Sequence, residues 1–274
     1  MRRFVTLDLE SVADEALVSA VDGEPSRPYP EQLRRVLAER RARTGGRSDF
    51  LPLPYHRPVA GCTLEAVERG GVVHVVDVAS WTDRRGDEPR FLAETWDRLS
   101  GASLVTFHGK GFDLPVLELR SLKHGVSVPS WSPDRRSGGV AEHLDVKELL
   151  TADGAAVAAP LDLYAKLVGL PGKEDVAGED VQSLYSAGAH DRIAAYCMTD
   201  VVQTWLLFLR FRLVEGSLPA DAYEESIASA REALPTLFAR RLPPEQRAVL
   251  EGFLARCRGF LGAPLAQGEA RKAG

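Results

Sequence analysis

The stretch RRFVTLDLES, residues 2–11, climbs in apolar character from Phe4 to Leu7 and then sets two carboxylates, Asp8 and Glu10, on either side of Leu9. A run of Phe, Val, Thr and Leu reads as a buried strand, ending here at the acids. Side chains alternate along a strand, so Asp8 and Glu10 share one face while Leu9 takes the other. Ionised carboxylates this close repel, and burying them is costly unless something positive meets them. A divalent cation between them turns the repulsion into attraction, and ligands that are all oxygen suit magnesium or manganese. A solvated strand end would carry the same residues, so the choice falls to the rest of the chain.

The chain has 274 residues and 45% hydrophobic content, enough for a full core. No apolar run reaches the ~18 residues of a membrane span, and Asp8 and Glu10 follow too closely on Arg2 and Arg3 for a signal peptide. The expectation is a cytoplasmic protein with no membrane contact. Cys62, Cys197 and Cys257 are far apart and form no Cys-x-x-Cys pair, which points to core thiols and away from disulfides or zinc. A net charge of −5 argues against a protein that coats nucleic acid through a generally basic surface. It leaves room for a local site, because cations held by carboxylates reverse the field around them. Arginines crowd EQLRRVLAERRARTGGR, residues 31–47, either as a solvated helix face or as an arm that contacts phosphates.

Working outward, residues 13–58 read as an insertion or flap with one helix, from about Pro30 to Arg43, between stretches punctuated by Pro and Gly. VAGCTLEAV (59–67) and VVHVVDV (72–78), joined by ERGG, form a hairpin pattern. EPRFLAETWDRL (88–99) has helical spacing, and LVTF (104–107) reads as a strand that leads through a Gly-containing turn into a helix near Asp113. From residue 160 onward the pattern is helical, and the chain closes on a tail rich in polar and small residues. Strands alternating with helices after an opening hairpin imply an α/β domain with a mixed sheet.

Two further acidic stations follow the first. In LVTFHGKGFDLPVL, Asp113 stands where the chain leaves a strand through Gly109 and Gly111 and enters a helix, a position that suits either an N-cap or a ligand. In HDRIAAYCMTDVVQTWLLFLRF, Tyr196 and Asp200 are one helical turn apart on a stripe continued by Gln203 and Leu207. The neighbouring stripe of Ile193, Cys197, Val201, Trp205 and Phe208 is apolar and faces the sheet, which puts Tyr196 and Asp200 at the edge of the buried face.

Together these stations resemble the DEDD superfamily of 3′-5′ exonucleases, in the tyrosine subclass (DEDDy), on a ribonuclease H-like fold. More narrowly, the chain is similar to bacterial predicted exonucleases related to the proofreading domain of family B DNA polymerases. YHRPVAGCTL, LVTFHGKGFDLPVL, HLDVKELL, LPGKEDVAGEDV and YCMTDVVQTWLLFLRF follow that family's order. The resemblance implies a ribonuclease H-like mixed sheet flanked by helices over residues 1–215, with a helical C-terminal extension over 216–262 and a flexible tail over 263–274. It implies two divalent ions, Mg2+ or Mn2+, held by Asp8, Glu10, Asp113 and Asp200, with Tyr196 orienting the attacking water. It implies contacts from Leu9, His108, Lys110, Phe112 and Lys173 to a nucleic acid with a free 3′ end, single-stranded DNA being the favoured substrate. The products would be nucleoside 5′-monophosphates. The family commonly carries Asn where this chain has His108.

Two rivals remain. A haloacid dehalogenase-like phosphatase would explain VTLDLESV, but it calls for a second Asp where Glu10 stands and gives Tyr196 and Asp200 no role. A non-catalytic nucleic-acid-binding module on the same fold would not need all four acids and the tyrosine.

Overall fold

The computed structural model describes residues 1–83, 86–128, 142–173 and 181–262. Residues 174–180 of the LPGKEDVAGEDV motif and the tail over 263–274 lie outside the described residues. The first strand, β1 (Arg2–Ala13), does not end at the acids. It runs past them, with a bulge between Glu10 and Ser11, and pairs antiparallel with β2 (His56–Arg69). β2 turns at Gly70 and Gly71 into β3 (Val72–Thr82). β4 (Ser103–Thr106) pairs parallel with β1, and β5 (His143–Asp145) pairs parallel with β4. The sheet order is β3-β2-β1-β4-β5, a mixed sheet flanked by helices. It is consistent with the ribonuclease H-like α/β fold.

Alternation along β1 decides what each face meets. Val5, Leu7 and Leu9 pack on α3 (Glu88–Leu99) and α4 (Asp113–His124). Phe4 packs against Trp205 and Phe208 of α8 (His190–Val214), and Asp8 and Glu10 share that parity. The acids are therefore tolerated in mid-strand because their partners come from elements far along the chain. Between α4 and α8 lie α5 (Val146–Leu149), α6 (Leu161–Leu167) and α7 (Val181–Ser186).

The insertion holds two helices, α1 (Glu15–Asp22) and α2 (Tyr29–Arg43), where the sequence showed one. Asp14 caps α1 by accepting from the Leu17 N–H at 3.1 Å, and Val18, Val36 and Leu51 form a small core between the helices. Asp14 also anchors the insertion to the domain, since Arg120 of α4 pairs with both Asp14 and Glu88 in a buried network.

α8 is not a two-faced helix as its stripes suggested. Val202, Gln203, Leu206 and Leu209 are as buried as the stripe facing the sheet. The helices α9 (Ala220–Arg241) and α10 (Pro244–Arg256) cover its far side, followed by α11 (Arg258–Gly262). Gln246 of α10 donates to Asp191 at 3.1 Å and accepts from Ser80 at 2.7 Å. Ser226 of α9 accepts the Val73 N–H of β3 at 2.9 Å. Among the described residues no helix is long and apolar enough to cross a membrane.

Candidate active site

β1 and α8 bring the first and third stations together. Carboxylate oxygens of Asp8, Glu10 and Asp200 lie within 4.8 Å of one another, an all-oxygen donor set of the kind that hard divalent cations take. The structure shows why such a set needs positive charge. Burial, followed by the charges of Asp113 and Asp200, holds the Asp8 carboxyl well above the usual range. Burial and Asp8 do the same to Glu10, and burial raises Asp200.

Asp113 adjoins this group from the first turn of α4. It is not the helix cap, which is Phe112, and the Asp113 Oδ1 instead accepts the Leu9 N–H of β1 at 2.9 Å. Burial pushes its carboxyl up to about 7, against the lowering effect of those backbone hydrogen bonds. The bond to Leu9 fixes the second station against the strand that carries the first. It also gives Leu9 a backbone role, while its side chain is buried in the core and borders the cleft described below.

Lys173 reaches the acids from the loop after α6, its Nζ 2.6 Å from Asp200 Oδ2. Burial alone would lower its pKa, but the charges of Asp200 and Glu10 and the hydrogen bond to Asp200 raise it. Its backbone is held in place: the Gly172 N–H donates to the fully buried Gln203 at 2.7 Å, and the Lys173 N–H donates to Asp162 at 2.6 Å. Tyr196 lies one turn before Asp200, half-buried, with its hydroxyl accepting from Arg192 Nε at 3.1 Å.

The 108–112 loop owes its shape to Asp145, a residue of HLDVKELL to which the sequence alone attaches no role. Buried at the end of β5, Asp145 accepts the N–H groups of His108 at 2.8 Å and Lys110 at 3.0 Å, and caps α5 through Lys147. An Asp just before a short helix is the cap signal that would have found it. His108 adopts a left-handed backbone with φ of 67°, which Asn and His accept more readily than other side chains. A Cβ on Gly109 would stand 2.5 Å from the Thr106 side chain, so the loop passes too close to β4 for any larger residue. His108 and Lys110 are exposed, and the Lys110 ammonium pairs with Glu148 of α5.

Beside Glu10 opens a cleft of about 540 Å³ whose walls include Leu9, Phe112 and residues of the insertion. Phe112 is half-buried, packed at its back on the α3–α4 core and meeting His56 edge-on at 4.9 Å. Phe50 stands 6.0 Å from Phe112 and is 56% exposed. His56 Nε2 faces the Leu51 carbonyl at 3.0 Å and must donate to it, so Nδ1 accepts from the Ser11 hydroxyl at 2.9 Å. Burial lowers its pKa, which disfavours the charged form, against the opposing effect of the bond to Leu51. No local pattern signals that Phe50 and His56 join Phe112, because only the fold of the insertion brings them there.

A family model described as a predicted 3′-5′ exonuclease related to the exonuclease domain of PolB matches residues 48–257. The chain belongs to this exonuclease family. No curated protein matches the chain. The matched span contains Asp113, Tyr196 and Asp200, and extends through α10. Asp8 and Glu10 precede it, so their meeting with Asp200 is a finding of the three-dimensional structure.

Proposed function

We propose that this member of the exonuclease family is a metal-dependent enzyme of the tyrosine DEDD type that removes nucleoside 5′-monophosphates from the 3′ end of single-stranded DNA. The observation that carries this reading is the convergence of Asp8, Glu10 and Asp200 within 4.8 Å, with the Lys173 ammonium among them. Four acids, Asp113 included, are the proposed ligands of two Mg2+ or Mn2+ ions. Bound there, such ions supply a water acidified toward neutral pH and charge stabilisation for the phosphoryl group and the leaving 3′ oxygen.

The chain's own residues do the rest. Tyr196, steadied by Arg192, orients the attacking water through its hydroxyl. Lys173 places a compact positive charge beside the phosphate. Leu9 and Phe112 offer an apolar wall to the terminal base, and His108 and Lys110 border the same approach from the neighbouring loop. Residues 1–215 form the catalytic portion in this reading, and the helices from 216 support it.

The test is degradation of a 5′-labelled single strand with Mg2+ or Mn2+. Stepwise shortening from the 3′ end with release of 5′-monophosphates is expected, and a strand ending in a 3′-phosphate should resist. Cuts within a circular strand, or no hydrolysis with either metal, would overturn the assignment.

A further inference from the structure

Residues 27–47 carry seven arginines and two glutamates, a local excess of five positive charges in a chain whose net charge is −5. Three of these arginines hold the insertion together. Arg27 and Arg35 pair with Asp22, and Arg40 donates to the Phe50 carbonyl at 3.0 Å. Arg34 and Arg41 are different. They lie three residues before and four after Leu37, so the three share one face of α2, and Leu33 and Leu37 form part of the cleft wall beside Glu10. Arg34 is exposed, its Nε donating to the Pro30 carbonyl of its own helix at 3.2 Å and its guanidinium 3.9 Å from Glu31, an exposed pair of little energetic worth. The Arg41 guanidinium has no ion pair or hydrogen bond among the described residues.

The cleft thus has acids at one end, a half-exposed aromatic wall of Phe112, His56 and Phe50 along its side, and a helix bearing exposed arginines at its margin. Aromatic faces that stack bases beside cations that meet phosphates are how single strands are bound without regard to sequence. We propose that α2 is a guide arm for a single-stranded nucleic acid, Arg34 and Arg41 meeting phosphates upstream of the terminal nucleotide while Phe50 stacks on a base behind it. The arm explains how a protein acidic overall holds a polyanion: the attraction is concentrated at the approach to the site. The inference rests on the exonuclease reading for the direction of the strand, but it concerns a surface outside the acid cluster.

The experiment is equilibrium binding in EDTA, which prevents metal-dependent turnover, of a fluorescent oligothymidylate longer than the ~16-nucleotide upper site size of a single-strand-binding fold. Dissociation constants are read across a KCl series. Each phosphate contact on a single strand contributes about 0.7 to the slope of log affinity against log salt. Arg34→Ala/Arg41→Ala should therefore flatten the slope by roughly 1.4, twice that contribution. Arg34→Lys/Arg41→Lys should restore it, since the charge is kept. The control Arg90→Ala/Arg240→Ala, on α3 and α9, should leave it as in the parent. An unmoved slope in the alanine pair, an equal loss in the control, or no binding at low salt would overturn the proposal. Capture by phosphatidylserine vesicles that depends on the arginine pair, with the oligonucleotide slope unmoved, would assign the arm to a lipid surface and also overturn it. Hydrolysis is scored separately, so a protein that binds with the expected slope but cleaves nothing keeps the arm and loses the exonuclease assignment.

Discussion

The ammonium of Lys173 stands 2.6 Å from Asp200, where its charge also acts on Glu10 and Asp8. A lysine this close to three carboxylates partly neutralises them, and it competes with any cation that the same oxygens bind. Lys173→Met should therefore raise Mn2+ affinity by roughly tenfold, equivalent to about 1.4 kcal/mol, while lowering the thermal midpoint of the metal-free protein. Calorimetric titration of Mn2+ at fixed pH measures the first effect. A weaker affinity in the variant would mean that Lys173 shapes the ligands rather than competing with an ion.

The raised carboxyls give the metal-free protein an unusual pH dependence. Asp113 holds its proton up to about 7, while an unfolded Asp loses it near 4, and Asp8, Glu10 and Asp200 are shifted in the same direction. The folded state therefore binds more protons than the unfolded state across that interval, and stability falls as pH rises through it. Thermal midpoints in EDTA should drop between about pH 5 and pH 8. Mn2+ should reduce the drop, and Asp113→Asn should flatten it. A midpoint that climbs with pH in EDTA would contradict the burial-driven shifts.

Tyr196→Phe keeps the ring and its place on α8 but removes the hydroxyl that Arg192 steadies. Turnover should slow by about 10²-fold or more, the usual worth of a positioned proton-handling or water-orienting group. Mn2+ affinity should stay within about twofold, since the phenol is not among the proposed ligands. Parallel measurement of kcat and of Mn2+ binding separates the two roles.

Arg120 joins α4 to the insertion through Asp14 and to α3 through Glu88, with all three side chains buried. Removing one partner from a buried ion network strands the others, so Arg120→Met should cost about 3–5 kcal/mol in urea unfolding. The Asp14 and Glu88 carboxyls are held below the usual range because hydrogen bonds from Lys123 and Arg120 to Asp14, and from Arg120 to Glu88, outweigh the opposing effect of burial. That part of the stability is present above the ordinary carboxylate range and lost as pH falls through the lowered values. Acid unfolding should be less steep in the variant than in the parent.

How far the sequence spoke depended on whether a residue's partners were near it in the chain. The hairpin of β2 and β3 and the bounds of α3 were legible because turn glycines and apolar spacing are local signals. The sequence alone ends β1 at Asp8 and Glu10, because carboxylates in mid-strand make sense only once Asp200 and Lys173, far along the chain, are placed opposite them. The stripes of α8 misled for a similar reason. Its second face is covered by α9 and α10, and no pattern within α8 announces that cover. Asp145 and the Phe50–His56 wall escaped because their meaning lies in a loop and a cleft assembled from distant segments.

The hydrogen bond from the Val73 N–H to Ser226 has a bearing on solubility. β3 is the outermost strand on its side of the sheet, and its sequence, VVHVVDV over residues 72–78, combines β-branched residues with a single acid. A bare edge of that composition is a template for pairing with another chain. By taking one of its free donors and lying along it, α9 acts as a guard against sheet-to-sheet association. A protein shortened at residue 216 would then fail first by self-association into β-rich aggregates, even under conditions in which its remaining core holds together.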